Sequence, residues 1–150
     1  GPGDAEAFLT RDLAAHEPCF LIFRRTAGAP QLVGTIGFGP SPAGDAELGY
    51  WIRRDCWGLG YATEAGRAVL GIARDGLRLR RLSASHFLDN PASGRVLAKL
   101  GFRPTGRVVE RFSCGRGGQA PCREFALDFA AEAARREHLG FENAVEMLAA

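Results

Sequence analysis

Residues 57–65 read WGLGYATEA, and they form the segment of this 150-residue chain with the clearest capacity to bind a ligand. Two glycines, Gly58 and Gly60, lead directly into a segment whose apolar residues recur at helical spacing. The first N–H groups of a helix have no partner within the helix, and the helix dipole adds positive charge there. The pattern predicts a phosphate or pyrophosphate site at the start of this helix.

Two better-known phosphate motifs do not fit this loop. A P-loop requires a lysine at the start of the helix, where this chain has Gly60-Tyr61-Ala62. A dinucleotide-binding fingerprint requires a third glycine, at the position that Thr63 occupies. From these residues alone, a tight turn that binds nothing is the alternative interpretation.

A second segment, residues 89–102, has the signals of a short helix with defined ends. Asn90 is a good N-cap, Pro91 suits the first helical position, and Gly101 suits the C-cap. Ser93 falls in the first turn of this predicted helix. The strand-like run before it contains His86.

Together these segments resemble the GNAT N-acetyltransferase superfamily. The closest resemblance is to the branch that acetylates the N-terminal alanine or serine of ribosomal proteins. It covers roughly residues 5–128. The motifs that carry it are, in chain order, Gly49-Tyr50-Trp51, residues 57–65, Asn90-Pro91-Ala92-Ser93 and Lys99-Leu100-Gly101-Phe102.

The resemblance implies that acetyl-CoA is the cosubstrate. Its pantetheine arm would lie between two diverging strands. A main-chain N–H of the stretch 50–52, which includes Trp51 and Ile52, would polarise the thioester, and Asn90 would contact the pantetheine amides. Ser93 would give a proton to the departing thiolate. Many relatives use a tyrosine four positions further on as this acid, where this chain has Leu97. The pyrophosphate would bind to the main-chain N–H groups of Leu59, Gly60, Tyr61, Ala62 and Thr63.

A base must also remove a proton from the acceptor amine. Glu47, on the strand beside the expected thioester position, is the first candidate, and an exposed strand carboxylate is the alternative reading of it. His86 is the second candidate, because the ordinary pKa of histidine suits proton transfer near neutral pH. Arg53 and Arg54 are candidates for contact with the CoA phosphates, or else mark a solvated strand end.

Composition excludes several classes of function. The formal net charge of +2 is too small to indicate nucleic-acid binding. No apolar run is long enough to span a membrane, and the N-terminus does not read as a signal peptide. The four cysteines lack the paired spacing of a zinc site, so we expect no metal and reduced thiols in a cytoplasmic protein. Cys114 and Cys122 could face each other across a hairpin.

The predicted fold class is α+β, with a mixed, mostly antiparallel GNAT-like sheet flanked by helices. The strand and helix that normally open the family's fold are expected to be missing. Residues 1–150 are predicted to be one domain, with a core over about 5–128 and a helical extension over 129–150 that breaks near Gly140. The apolar side of this extension could pack on the sheet or on a second chain, as in a homodimer. Strands are predicted over 19–25, 31–39, 46–53, 80–87, 107–114 and 122–129, and helices over 4–17, 62–76 and 91–100.

The leading functional hypothesis is an acetyl-CoA-dependent N-acetyltransferase. The acceptor would be a primary amine, either a protein N-terminal α-amine or a small molecule, which attacks the thioester directly in a ternary complex. The first alternative is an acyl-CoA-binding module without catalysis. The second is a regulatory domain that binds a phosphate or a nucleotide through the same loop.

Overall fold

The computed structural model describes residues 17–149, which contain six strands and three α-helices. The helices are α1 (Tyr61–Gly71), α2 (Pro91–Lys99) and α3 (Phe129–Ala149). The strands are β1 (Cys19–Arg24), β2 (Gln31–Pro40), β3 (Ala46–Ile52), β4 (Arg81–Phe87), β5 (Arg103–Ser113) and β6 (Gly118–Asp128).

The strands form one sheet in the order β1-β2-β3-β4-β6-β5. Every neighbouring pair is antiparallel except β3 and β4, so the prediction of a mixed, mostly antiparallel sheet is confirmed. The parallel ladder is limited to Ala46 opposite Leu82 and Glu47 opposite Ser83. Beyond these residues the two strands no longer pair, which leaves a gap in the middle of the sheet.

Helices α1 and α2 pack on one face of the sheet and cover its core. Buried side chains from four strands meet Val69 and Leu70 of α1 and Leu97 of α2 there. The two helices approach closely because position 66 carries no side chain. A Cβ added at Gly66 would lie 2.6 Å from Leu100 Cδ1.

Side chains alternate between the two faces of a strand, so neighbouring residues of β3 point in opposite directions. Leu48 and Tyr50 face the helices and join the core. Glu47, Gly49 and Trp51 lie on the other face, together with Ser83 of β4, which is opposite Glu47 in the register. We call this side of the sheet the Glu47 face.

Several predicted details are wrong. The last helix continues through Gly140, because a single glycine costs a helix only about 1 kcal/mol. Strand β5 starts at Arg103, since Gly106, at φ +85°, lies inside an irregularity of the ladder and does not precede the strand. Cys122 is opposite Val109, whereas Cys114 lies in the hairpin turn. The helix predicted over 4–17 lies, apart from Glu17, outside the described residues.

Candidate active site

A cavity of about 400 Å³ lies where β3 and β4 diverge, between the starts of α1 and α2. Its wall includes most of the residues predicted to bind the cofactor. Leu59 is the exception, since it does not line the cavity and its side chain is largely exposed. The predicted residues that line the cavity are Trp51, Ile52, Gly60, Tyr61, Ala62, Thr63, Asn90 and Ser93.

The glycine loop forms one end of this cavity. Gly58 and Gly60 have φ values of +73° and +85°, which favour glycine strongly. Gly60 is the N-cap of α1 and has no side chain with which to cap it. The N–H groups of the first turn are therefore available to a ligand in the cavity. The indole N–H of Trp57 donates to the Ile52 carbonyl at 2.8 Å and fixes the loop against the end of β3.

The pairing of β2 with β3 determines which main-chain groups face the gap. The Arg53 N–H donates to the Val33 carbonyl at 2.7 Å. Because hydrogen-bonding direction alternates along an antiparallel strand, Trp51 also directs its N–H toward β2. Tyr50 and Ile52 direct theirs toward β4, where the described ladder has already ended. Within the predicted stretch 50–52, Tyr50 and Ile52 therefore supply the main-chain N–H groups that face the gap.

A hydrogen-bonded pair of hydroxyl groups lies in the wall of the cavity. The Tyr50 Oη and Ser93 Oγ atoms are 2.6 Å apart, and Oη is also 3.3 Å from the Ser93 carbonyl oxygen. Asn90 accepts a hydrogen bond from the Ser93 N–H at 3.4 Å, so the predicted N-cap is confirmed. Burial raises the pKa of the Tyr50 phenol, and the hydrogen bond with Ser93 offsets this only in part.

The sequence motif includes Tyr50, and its main chain was a predicted donor, but its phenol was not predicted to have a chemical role. Its neighbour Ser93 is 43 positions away, and no local pattern indicates which helix a strand residue will contact. The alternation of β3 could have predicted only that Tyr50 faces the same side as Leu48.

Glu47 lies on the opposite face of the sheet, in the wall of a second cavity of about 490 Å³. Its Oε2 atom accepts a hydrogen bond from Arg111 Nη2 at 2.7 Å. This ion pair joins β3 to β5, and sequence reasoning did not find Arg111. Tyr50 and Trp51 line both cavities, so the two meet at this part of β3.

His86 lies on the helix side of the sheet, away from Glu47. Its Nδ1 is 2.8 Å from the Phe87 carbonyl oxygen, and its ring packs beside Phe125. A Cβ added at Gly94 of α2 would lie 2.7 Å from His86 Nε2. His86 does not line either cavity. We therefore assign the imidazole no step.

Two cationic residues of α2, Arg95 and Lys99, line the first cavity and were not predicted. They lie three and seven positions after Ala92, which also lines it, and this helical spacing was the signal that could have found them. Arg53 was a candidate for contact with the CoA phosphates. Its guanidinium instead makes two hydrogen bonds to the Asp55 carboxylate.

Within residues 17–149, no cluster of His, Cys, Asp and Glu could hold a metal ion, and no helix has the length and apolarity to cross a membrane.

Comparison with known proteins gives a consistent result. Residues 2–103 match the family model described as Acetyltransferase (GNAT) domain. Over 78 residues the chain is 40% identical to the uncharacterized N-acetyltransferase YoaA of Bacillus subtilis (strain 168). That match covers 51% of the chain and 44% of YoaA, so the chain spans about half the length of this curated relative.

Two solved structures share the fold. A GNAT-family acetyltransferase from Bacillus anthracis superposes with a TM-score of 0.67 at 24% identity, over 85% of this chain and 75% of its own. A mutant of the spermidine N-acetyltransferase SpeG from Vibrio cholerae gives a TM-score of 0.68 at 18% identity, over 90% and 79%. At these identities the comparison shows the fold alone.

Proposed function

The chain belongs to the GNAT acetyltransferase family, and from this premise we propose that it is an N-acetyltransferase that moves an acetyl group from acetyl-CoA to a primary amine. The observation that carries the proposal is the cavity between β3 and β4. It combines the open start of a helix, main-chain donors and a pair of hydroxyl groups.

The residues of the cavity fit a ligand that has phosphate groups and a long polar arm. The first turn of α1, preceded by Gly58 and Gly60, offers main-chain N–H groups to a pyrophosphate. Lys99 and Arg95 add positive charge at the same cavity. Acetyl-CoA supplies an activated acetyl group, and the gap beside Asn90 leads from the phosphate end toward Tyr50.

The main chain of β3 would stabilise the reaction's negative charge. As the amine nitrogen bonds to the acetyl carbon, the carbonyl oxygen becomes an oxyanion. The N–H groups of Tyr50 and Ile52 face the gap and can donate to it. A fixed donor of this kind typically contributes about 10²–10³ in rate.

The Tyr50–Ser93 pair would supply the proton that the thiolate needs when its bond to the acetyl carbon breaks. Ser93 Oγ can donate to the sulfur and recover a proton from Tyr50 Oη, 2.6 Å away, and the Tyr50 phenolate then takes a proton from solvent. Because burial raises the pKa of Tyr50, the phenol remains protonated and able to donate. Tyr50 thus takes the place of the tyrosine that many relatives carry where this chain has Leu97.

The acceptor must lose a proton, and Glu47 is the proposed base on its side of the sheet. The Glu47 carboxylate must share its contact with Arg111 in order to accept one. A strong base is not required for an α-amine, whose pKa is about 7.7–8.0. We therefore propose that Glu47 receives the proton directly or through water.

Further parts of the proposal rest on the resemblance. The motifs of residues 49–51 and 57–65 favour the branch that acetylates ribosomal proteins. We also propose one domain with a core over about 5–128, a cytoplasmic location and self-association through α3. The apolar side chains of α3 that are more than half exposed support that association, and they are Leu139, Phe141, Met147 and Leu148.

The test of the proposal is release of CoA thiol from acetyl-CoA in the presence of a panel of primary amines. We expect amine-dependent release, together with a rise in melting temperature on adding CoA. Ligand at 100 times its Kd stabilises a protein by about 2.7 kcal/mol. A rise in melting temperature without release would favour the acyl-CoA-binding module. Stabilisation by ATP but not by CoA would favour the nucleotide-binding domain.

A further inference from the structure

We propose that Arg111 determines the specificity of the acceptor site, and that it selects amines bonded to a carbon that carries a carbonyl or carboxylate group. This inference rests on the proposed N-acetyltransferase function. The acceptors it names are α-aminoacyl groups, either in free amino acids or at the N-terminus of a peptide. It predicts that polyamines are poor acceptors.

The Arg111 guanidinium lies beside the proposed base, Glu47. In the sheet, β4 and β6 lie between β3 and β5, yet Arg111 Nη2 and Glu47 Oε2 are 2.7 Å apart. The register places both side chains on the Glu47 face. Both are about three-quarters buried, since 25% of the Arg111 side chain and 22% of the Glu47 side chain are exposed. The cation therefore adjoins the carboxylate that we propose receives the amine proton.

Arg111 retains donors after it has bound Glu47. A guanidinium carries five N–H groups, and the Nε of Arg111 is buried with no acceptor among the described residues. A buried donor without a partner is unfavourable. Because Nε is buried, an oxygen next to the acceptor amine would instead bind the Nη groups of the same side chain, a quarter of which is exposed. A planar guanidinium suits carboxylate and carbonyl oxygens.

The charge of the second cavity suits an acceptor with a single amine. Among the described residues, Glu47 is the only acidic residue in the wall of this cavity, and the Arg111 guanidinium neutralises its charge. A polyamine carries several positive charges, which need several carboxylates or a net negative field. This site has one carboxylate and an adjoining cation. It is complementary to a group that has one amine and one oxygen acceptor.

The experiment compares wild type with Arg111→Met on two acceptors of similar shape, alaninamide and isopropylamine. Only alaninamide has a carbonyl. Wild type and variant are compared on the same amine, so each amine is its own reference. We expect a loss of about 10- to 100-fold with alaninamide, because hydrogen bonds to charged groups are the strong ones, and less than about threefold with isopropylamine.

Alanine and an alanyl peptide distinguish a carboxylate from a peptide carbonyl as the group that Arg111 recognises. Spermidine tests the polyamines. The wild-type kcat/KM for spermidine should be at least about tenfold lower than that for the better of the two alanine compounds. Arg107→Met is the matched control. It lies on the same strand, is exposed, and pairs with Glu124 at 3.8 Å, so it should leave all the ratios unchanged.

A loss with isopropylamine as large as the loss with alaninamide, or larger, would overturn the inference. It would show that Arg111 only positions Glu47, whose contribution as a base is greatest for amines of high pKa. A wild-type preference for spermidine would also overturn it. If Arg111→Met does not fold, Arg111→Lys serves in its place, because it keeps the charge and loses the fork of donors. Failure of the proposed function looks different, since no amine would then release thiol.

Discussion

Tyr50 Oη lies 2.6 Å from Ser93 Oγ and connects the strand on one side of the gap to the helix on the other. The Ser93 main-chain N–H in turn donates a hydrogen bond to the side chain of Asn90, the N-cap residue of α2. The capping residue that starts α2 thus also positions the Ser93 hydroxyl. The second hydroxyl comes from β3, whose main-chain N–H groups face the same gap.

The first prediction concerns this pair. Tyr50→Phe should lower kcat by about 100-fold or more and leave the Kd for acetyl-CoA within about twofold, because general acids contribute 10²–10⁴-fold. Ser93→Ala should act similarly. The double variant should lose much less than the product of the two single losses, since both residues serve one proton transfer. Steady-state kinetics and equilibrium titration measure these quantities.

The pH dependence gives an independent check. The neutral phenol is the form that donates, and burial moves its pKa upward from 10.0. Any loss of kcat through ionisation of Tyr50 should therefore occur above pH 10. An alkaline limb below pH 9.5 that disappears in Tyr50→Phe would contradict the assignment. Ser113→Ala, which removes a hydroxyl from the end of β5, is the control.

The second prediction compares two glycines of the same helix. Gly60→Ala places a Cβ at φ +85° and should destabilise the fold by about 1–2 kcal/mol and weaken acetyl-CoA binding. Gly71 has helical angles, with φ −61°, and Gly71→Ala should be neutral or stabilise by up to about 1 kcal/mol. A Cβ at either position meets nothing within 4 Å, so the comparison isolates the backbone. Urea unfolding and ligand titration test it, and similar effects at both positions would refute the special role of Gly60.

Local signals predicted much of the fold and one side of the site. Glycines before a periodic segment indicated the start of α1, and the cap residues indicated α2. The Tyr50–Ser93 and Glu47–Arg111 contacts could not be predicted in this way. They join residues 43 and 64 positions apart, and they depend on strand register and on how the β5–β6 hairpin lies across the sheet. The break expected at Gly140 failed because one unfavourable residue does not end a 21-residue helix.

The third prediction concerns the phosphate end of the cavity. Lys99→Ala should raise the Kd for acetyl-CoA by about three- to tenfold at low ionic strength, and the difference should shrink as salt is added, because exposed charges are screened. Arg103→Ala removes an exposed cation that does not line the cavity and should change the Kd by less than about twofold. Isothermal titration at 20 and 300 mM salt gives the comparison. A salt-independent effect of Lys99→Ala would mean that its contribution is not electrostatic.

The last prediction concerns Glu47, whose contribution should depend on the acceptor's own pKa. At pH 8, a lysine-like amine with a pKa of about 10.4 is almost wholly protonated, whereas about half of an α-amine is already neutral. Glu47→Gln removes the proposed base and leaves Arg111 without its carboxylate. We expect kcat/KM to fall by at least about tenfold with a lysine-like acceptor and by less than about threefold with an α-amine, and the two losses should converge as the pH approaches 10. Initial rates from pH 6.5 to 10 with both acceptors measure this. Asp45→Asn is the control, since Asp45 lies just before β3 and pairs with Arg81 at 3.5 Å. Equal losses at every pH would show that Glu47 serves structure and binding, with water removing the proton.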